Sequence, residues 1–304
     1  MPVLRLRLAQ LSAHLVVALI TLVVIGGATR VMEAGLACPD WPLCFGSLLP
    51  ASHMGLQVFL EWLHRLDAFL VGLAVLGQFV FSFFVRSKLP FWLPWVYGFL
   101  LGLVILQGAL GALTVLQLLP SLVVTAHLAL ALTLVGSMSA LSEILVNPNG
   151  FSTPSWWKWM SASSLFAVVV QCLLGARMAT SWSAQRCLVN GEACELVYLH
   201  RGSGIIVASC IVLFITTSIF VGGWPRAQWP SLLIVFILIS TQIFLGFLSL
   251  HFHLEKPILT ITHQLLAALL VAFLSALTFK RSSDLPVSST LQFTRQSLME
   301  GSHG

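Results

Sequence analysis

The sequence predicts an all-α integral membrane protein: eight transmembrane helices forming two pseudo-two-fold-related four-helix bundles. Three observations predict it, namely the composition, the count of membrane-length apolar runs and an internal repeat. Hydrophobic residues fill 58% of the 304 positions and charged residues only 8%, against roughly 25% charged in a soluble domain. A soluble core has no room for that much apolar surface.

Runs long enough to cross a bilayer, about 20 residues each, lie near 11–29, 61–85, 92–114, 121–146, 157–178, 197–221, 231–250 and 257–279. The first follows Arg5 and Arg7 and has the outline of a secretory signal. No small-residue cleavage site follows it and its repeat partner is a full helix, so it is read as a retained span. The third and fourth spans are joined by a very short turn around Pro120.

With eight crossings, Arg5, Arg7, Arg86, Lys88, Arg226, Lys280, Arg281 and Arg295 fall on one side. The opposite loops mix Arg186 and Lys256 with Glu33, Asp40, Glu192, Glu195 and Glu255. The positive-inside rule then places both termini in the cytoplasm. The net charge of +5 is accounted for by topology, and no basic, aromatic-interleaved patch points to nucleic acid.

The repeat has a period near 136 residues. Leu63-His64-Arg65 in the second span matches Leu199-His200-Arg201 in the sixth, and His127 in the fourth matches His263 in the eighth. Gln107-x-x-x-Gly111 in the third span answers Gln242-x-x-x-Gly246 in the seventh. The loops after the first and fifth spans each carry two cysteines, Cys38 with Cys44 and Cys187 with Cys194. Together these predict a duplicated four-helix unit, residues 1–148 and 149–304, linked near 147–155. Both copies start on the same side, so they are parallel and related by an axis along the membrane normal.

His64, His127, His200 and His263 all lie near the start of spans that enter from outside, at similar depth. Facing helices of a bundle present side chains into a shared core site. Two imidazoles at one depth suit bis-axial ligation of a haem iron, giving one haem site per half: His64 with His127, and His200 with His263. An isolated intramembrane histidine has a structural reading, but four at duplicated positions favour function. Zinc is disfavoured because no cysteine or carboxylate accompanies them at ligand spacing. Arg65 and Arg201 directly follow two of the histidines and offer charge-assisted partners for haem propionates; the alternative is a snorkelling arginine at a helix end.

The halves differ at one position of chemical weight. Glu61 lies three residues before His64, on the same helix face, whereas the matching residue of the second half is Val197. A catalytic acid/base or cation stabiliser beside one haem is the favoured reading; compensation of a helix dipole is the other. The first cysteine loop, Cys38-Pro-Asp-Trp-Pro-Leu-Cys44, is stiffened by two prolines and a tryptophan. A disulfide on an oxidising face and reversible redox chemistry of an exposed pair both remain open for it. Cys187 and Cys194 read as a simpler structural copy.

The strings GGATR, CPDWPLC and EWLHR, with the later paired histidines, resemble the haem A synthase family, over about residues 12–280. The resemblance implies oxidation of the C8 methyl group of haem O to a formyl group, giving haem A for haem-copper oxidases. It implies a substrate haem on His64 and His127 with Glu61 as the essential carboxylate, a haem b cofactor on His200 and His263, and a functional pair at Cys38 and Cys44. It implies the lipid bilayer as surroundings, with haem O synthase and an electron acceptor as partners, and self-association. A prokaryotic plasma membrane is expected, because no mitochondrial-type presequence precedes the first span. Two rival functions are a dihaem b-type cytochrome that only passes electrons and, less well supported, a transporter.

Overall fold

The computed structural model describes residues 2–146 and 153–281. Most of the expected linker, and the tail carrying Arg295 and His303, lie outside the described residues. The described residues form ten helices: α1 (Pro2–Val31), α2 (Leu56–Phe84), α3 (Leu93–Leu116), α4 (Ser121–Val146), α5 (Ser155–Thr180), α6 (Ser183–Asn190), α7 (Glu195–Val221), α8 (Gly223–Ala227), α9 (Trp229–His251) and α10 (Pro257–Phe279). All but α6 and α8 are long and apolar enough to cross a membrane, so the chain is a multi-pass membrane protein with the eight spans expected. The helices outrun the apolar runs: α1 starts nine residues earlier than expected and takes in Arg5 and Arg7, because backbone hydrogen bonding does not stop at the hydrocarbon edge. For the same reason His64 lies in the third turn of α2 instead of its first.

Each half closes on itself. Helix α1 packs on α2, α2 on α3, α3 on α4 and α4 back on α1; α5, α7, α9 and α10 form the equivalent ring. The halves meet through α1 and α4 on one side and α5 and α10 on the other. Lipid offers no hydrophobic drive between spans, so small residues and interhelical hydrogen bonds do much of the joining. Ser139 donates to the carbonyl of Ala272 at 2.7 Å, and Ser275 donates to the carbonyl of Gly136 at 2.7 Å. Ser142 reaches the carbonyl of Ala9 at 3.0 Å. At the end bearing the cysteine loops, Arg30 donates to the carbonyl of Ala179 and Arg177 to the Ser121 hydroxyl at 2.8 Å. Outward faces carry Phe99, Ile105, Phe166 and Phe220, all strongly exposed, as lipid-facing surfaces require.

Candidate functional site

Each of the four histidines projects from a helix whose neighbour supplies a glycine. A Cβ on Gly26 of α1 would stand 2.9 Å from Cε1 of His64, and one on Gly175 of α5 would stand 2.9 Å from Cε1 of His200. On Gly111 of α3 and Gly246 of α9 the distances to Cε1 of His127 and His263 are 3.4 Å and 3.2 Å. The imidazoles therefore rest on bare backbone, which fixes their depth.

Four residues before three of those glycines stands a glutamine. Gln107 places its amide nitrogen 3.4 Å from Nε2 of His127 and donates to that residue's carbonyl at 3.1 Å. Gln171 lies 3.1 Å from Nδ1 of His200 and donates to the His200 carbonyl at 2.6 Å. Gln242 lies 3.0 Å from Nε2 of His263. The residue four before Gly26 is Leu22. The Gln171 and Leu22 positions escape the sequence comparison because Gly26 and Gly175 are 149 positions apart while His64 and His200 are 136 apart. A search that let the first loop vary in length would find them.

All four histidines line one cavity of about 2160 Å³, together with Glu61, Arg65 and Arg201. That exceeds the roughly 300–1,000 Å³ of a single small-molecule pocket and leaves room for two large flat groups. The linings are mostly apolar side chains such as Leu128, Ala131, Val207 and Ala208. Nδ1 of His64, His127 and His263 is buried without a hydrogen-bond partner, and no protein group bonds Nε2 of His200 among the described residues. Each imidazole thus keeps a ring nitrogen that the protein does not use. Apolar walls with spare imidazole nitrogens fit a haem, and among the described residues no three-residue His/Cys/Asp/Glu cluster suits a bare metal ion.

The two ends of the cavity differ in charge. Glu61 is 3% exposed; its carboxylate accepts from the Cys38 N–H at 2.8 Å and pairs with Arg65 at 2.5 Å. Arg65 in turn donates to the carbonyls of Asp40 and Leu43. The EWLHR string is therefore a clamp that holds the first cysteine loop over His64. Arg201 has no such clients: it is exposed within the cavity and bonds no other group among the described residues. It could meet a carboxylate in the cavity without rearrangement, whereas Arg65 would have to share donors with the loop.

Both cysteine pairs are disulfides, Cys38–Cys44 with Cα atoms 4.8 Å apart and Cys187–Cys194 with 4.9 Å. The first is buried, Cys38 at 0% and Cys44 at 2% exposure, so the exposed pair considered from the sequence is not what the fold builds. Within it, Phe45 and Gly46 both take positive φ and Cys44 and Ser47 exchange backbone hydrogen bonds at 3.1 and 3.2 Å. This is a two-residue primed hairpin, which favours glycine. Asp40 accepts from the N–H groups of Phe45 and Gly46 at 2.7 and 2.9 Å; those bonds, that from Gly46 foremost, hold its carboxyl below the usual aspartate range.

The family model for cytochrome oxidase assembly proteins of the COX15-CtaA type matches residues 9–275. A haem A synthase of Shewanella oneidensis is 26% identical over 310 residues, covering 84% of this chain and 91% of the relative. That of Azorhizobium caulinodans is 26% identical over 329 residues, covering 87% and 91%. That of a Caulobacter species reaches 33% over 194 residues, about half of each chain. With nearly its whole described length matched, the chain belongs to the COX15-CtaA family of cytochrome oxidase assembly proteins.

Proposed function

We infer that the protein is a haem A synthase, a membrane enzyme that oxidises the C8 methyl group of haem O to the formyl group of haem A. One observation carries the assignment of roles: a buried carboxylate, Glu61, stands beside the histidines of the first half, and Val197 occupies its place in the second. In this reading residues 1–148 form the substrate bundle, in which His64 and His127 would hold haem O. Residues 149–304 form the cofactor bundle, with haem b on His200 and His263 and Arg201 on its propionates. The serine bonds between α4 and α10 are reciprocal: the donors Ser139 and Ser275 lie 136 positions apart, and so do the acceptors Gly136 and Ala272, which supports a pseudo-two-fold relation between the bundles.

A haem held between two imidazoles supplies one-electron chemistry and passes electrons onward. The chain's own work is placement and proton handling. Glycines at 26, 111, 175 and 246 let the imidazoles sit close to the helix axes. The disulfide loop, fastened by Arg65, covers the first site. Oxidising a methyl group to a formyl group, with water supplying the oxygen, releases four protons and four electrons; the electrons go to an external acceptor, and Glu61, buried in the cavity lining beside His64, is placed to take protons. Charge asymmetry between the flanks supports cytoplasmic termini, and bacterial relatives support a prokaryotic plasma membrane. Haem O synthase, an electron acceptor and a second copy of the chain are the partners this reading anticipates.

The test is extraction and chromatography of haems from wild-type protein and Glu61→Gln, expressed with a source of haem O. Gln keeps an acceptor for the Cys38 N–H but cannot take a proton. Haem A in wild type with haem O accumulating in the variant is expected. Only haem b in both, two per chain, would make the protein an electron-transfer cytochrome.

A further inference from the structure

The histidines are not held alike. His127, His200 and His263 each have a glutamine amide at the ring, and at His127 and His200 the same amide also grips the main-chain carbonyl of the histidine. Around His200 the hold goes one step further, since Ser203 donates to the side-chain Oε1 of Gln171 at 2.6 Å. Ser203, Gln171 and His200 form a chain of bonds from α7 to α5 and back.

At His64 both supporting positions are changed. Leu22 stands where the amide would be, and Asp67 stands where Ser203 does, counting three residues on from each histidine. No side chain bonds His64; its ring has only the main-chain carbonyl of Leu22 in α1 as a hydrogen-bond acceptor, and Nδ1 is buried without a partner. One oxygen of Asp67 is likewise buried without a partner. The helix bearing His64 is thus pinned to α1 by no side chain at the ligand's level, while its three counterparts are pinned.

We propose that His64 is the releasable axial ligand of the substrate site, and that the Leu22–Asp67 pair, in place of a Gln–Ser pair, makes it so. This rests on the reading of the first half as the substrate site. A substrate haem must enter and its product must leave on every cycle, whereas a cofactor haem stays. Partners that orient a ligating imidazole typically change metal affinity by about 10- to 100-fold when removed. Leaving one of four ligands with a main-chain carbonyl alone, where the other three have a glutamine side chain, gives the first site a weak side and leaves His127 to hold the haem while His64 lets go. Leu22 and Asp67 are positioning residues, since they act through His64.

Purified full-length protein loaded with ferric haem b and mixed with excess apomyoglobin reports haem loss directly. Wild type should release haem in two phases whose rates differ at least about 10-fold, and His127→Ala should remove the faster one. Rebuilding the missing support with Leu22→Gln and Asp67→Ser should slow the fast phase about 10-fold and shift the low-spin ferric signal of that haem alone. Gln171→Leu, made separately, should accelerate the slow phase, and it decides the matter if the double variant does not fold. A single release rate in wild type, a fast phase unmoved by the double variant, or a slow phase unmoved by Gln171→Leu would overturn the proposal. Haem A content of wild-type protein expressed with a source of haem O keeps the two inferences apart: rates that shift as expected without any haem A would retain the ligand assignment and discard the synthase reading.

Discussion

Around His200 and His263 the second bundle uses one device twice: a glycine beneath the ring and a glutamine one turn away on the same helix. Around His127 the first bundle uses it again. Around His64 it keeps the glycine, drops the glutamine, adds a buried carboxylate and covers the result with a clamped disulfide loop. A duplicated scaffold has kept its geometry at three histidines and changed its chemistry at the fourth. In the proposed reading the changes all fall where a reacting haem has to be bound, oxidised and released.

The largest effect should separate chemistry from binding. Glu61→Gln removes a proton acceptor without touching a ligand, so haem A formation should fall by about 10²- to 10⁴-fold, the usual worth of general acid–base catalysis. Haem per chain should stay at the wild-type value. His263→Ala should do the reverse at the other site and lower haem content by about half. Parallel pyridine haemochrome spectra and product chromatography distinguish the two; a Glu61→Gln protein that loses its haem would mean the carboxylate is structural.

Next come the glycines. A methyl group at Gly26 or Gly175 would meet an imidazole carbon at 2.9 Å, closer than carbon atoms pack, and overpacking of this kind costs about 1–3 kcal/mol. Gly26→Ala should deplete haem in the first site only and Gly175→Ala in the second only, seen as loss of one of the two spectral species. Gly27→Ala acts elsewhere. Its Cβ would displace the side-chain amide of Gln264, which follows His263 and donates to the Val23 carbonyl at 3.2 Å. That single change sits between the halves and should disturb both haems.

These contacts also mark how far the sequence could be read. The eight spans, the histidine pairs and the Glu61–Val197 difference follow from hydropathy and from a repeat of fixed period, so they are legible in one dimension. The meeting of Gly27 with Gln264 depends on how α1 lies against α10, and no local pattern encodes it. Leu22 was hidden for another reason: the longer first cysteine loop puts α1 out of register with α5, and a 136-residue comparison pairs the wrong residues there. Glu61 was legible as a carboxylate near His64 but not as the acceptor of the Cys38 N–H, because that bond needs the folded loop. Arg65 was expected to face a ligand, and in the fold it first serves Asp40 and Leu43.

The two disulfides give a smaller and cleaner contrast. Their sequence separations are 6 and 7, so closing either loop is worth nearly the same, about 2 kcal/mol on the chain-entropy view. What differs is the support. Replacing Cys38 and Cys44 by serine leaves Arg65, Glu61 and Asp40 still bonded to the loop, and amide exchange over 38–47 should rise only modestly. Replacing Cys187 and Cys194 leaves chiefly main-chain bonds and the Arg186 contact with the Ser181 carbonyl, and exchange over 187–194 should rise more. Access differs too: Cys187 and Cys194 are half-buried, so a water-soluble reductant should open that pair before the buried Cys38–Cys44. The opposite order of reduction would make the first loop the mobile one and restore a redox role for it.

The smallest effect concerns Asp40 and pH. Its carboxyl is held below the ordinary aspartate value of about 3.9, first by the Gly46 N–H, then by that of Phe45, with the Arg65 guanidinium adding to them. A carboxyl whose folded pKa is depressed contributes its full stabilisation above the unfolded pKa and loses it as the pH falls through the folded value. The loop should therefore be indifferent to pH around neutrality and loosen only in acid below about pH 4. Asp40→Asn keeps one acceptor oxygen but turns an N–H donor toward a second N–H, so one of the two hairpin bonds is lost at every pH. Amide exchange over 38–47 should be slightly faster in the variant at pH 7 and should lack the acid-dependent rise of wild type. Because the group is at the surface the change in amplitude will be small, but its pH dependence is specific. A wild-type loop whose protection is flat down to pH 3 would show that Arg65 and the disulfide alone set its shape, leaving the first loop fastened from the α2 side only.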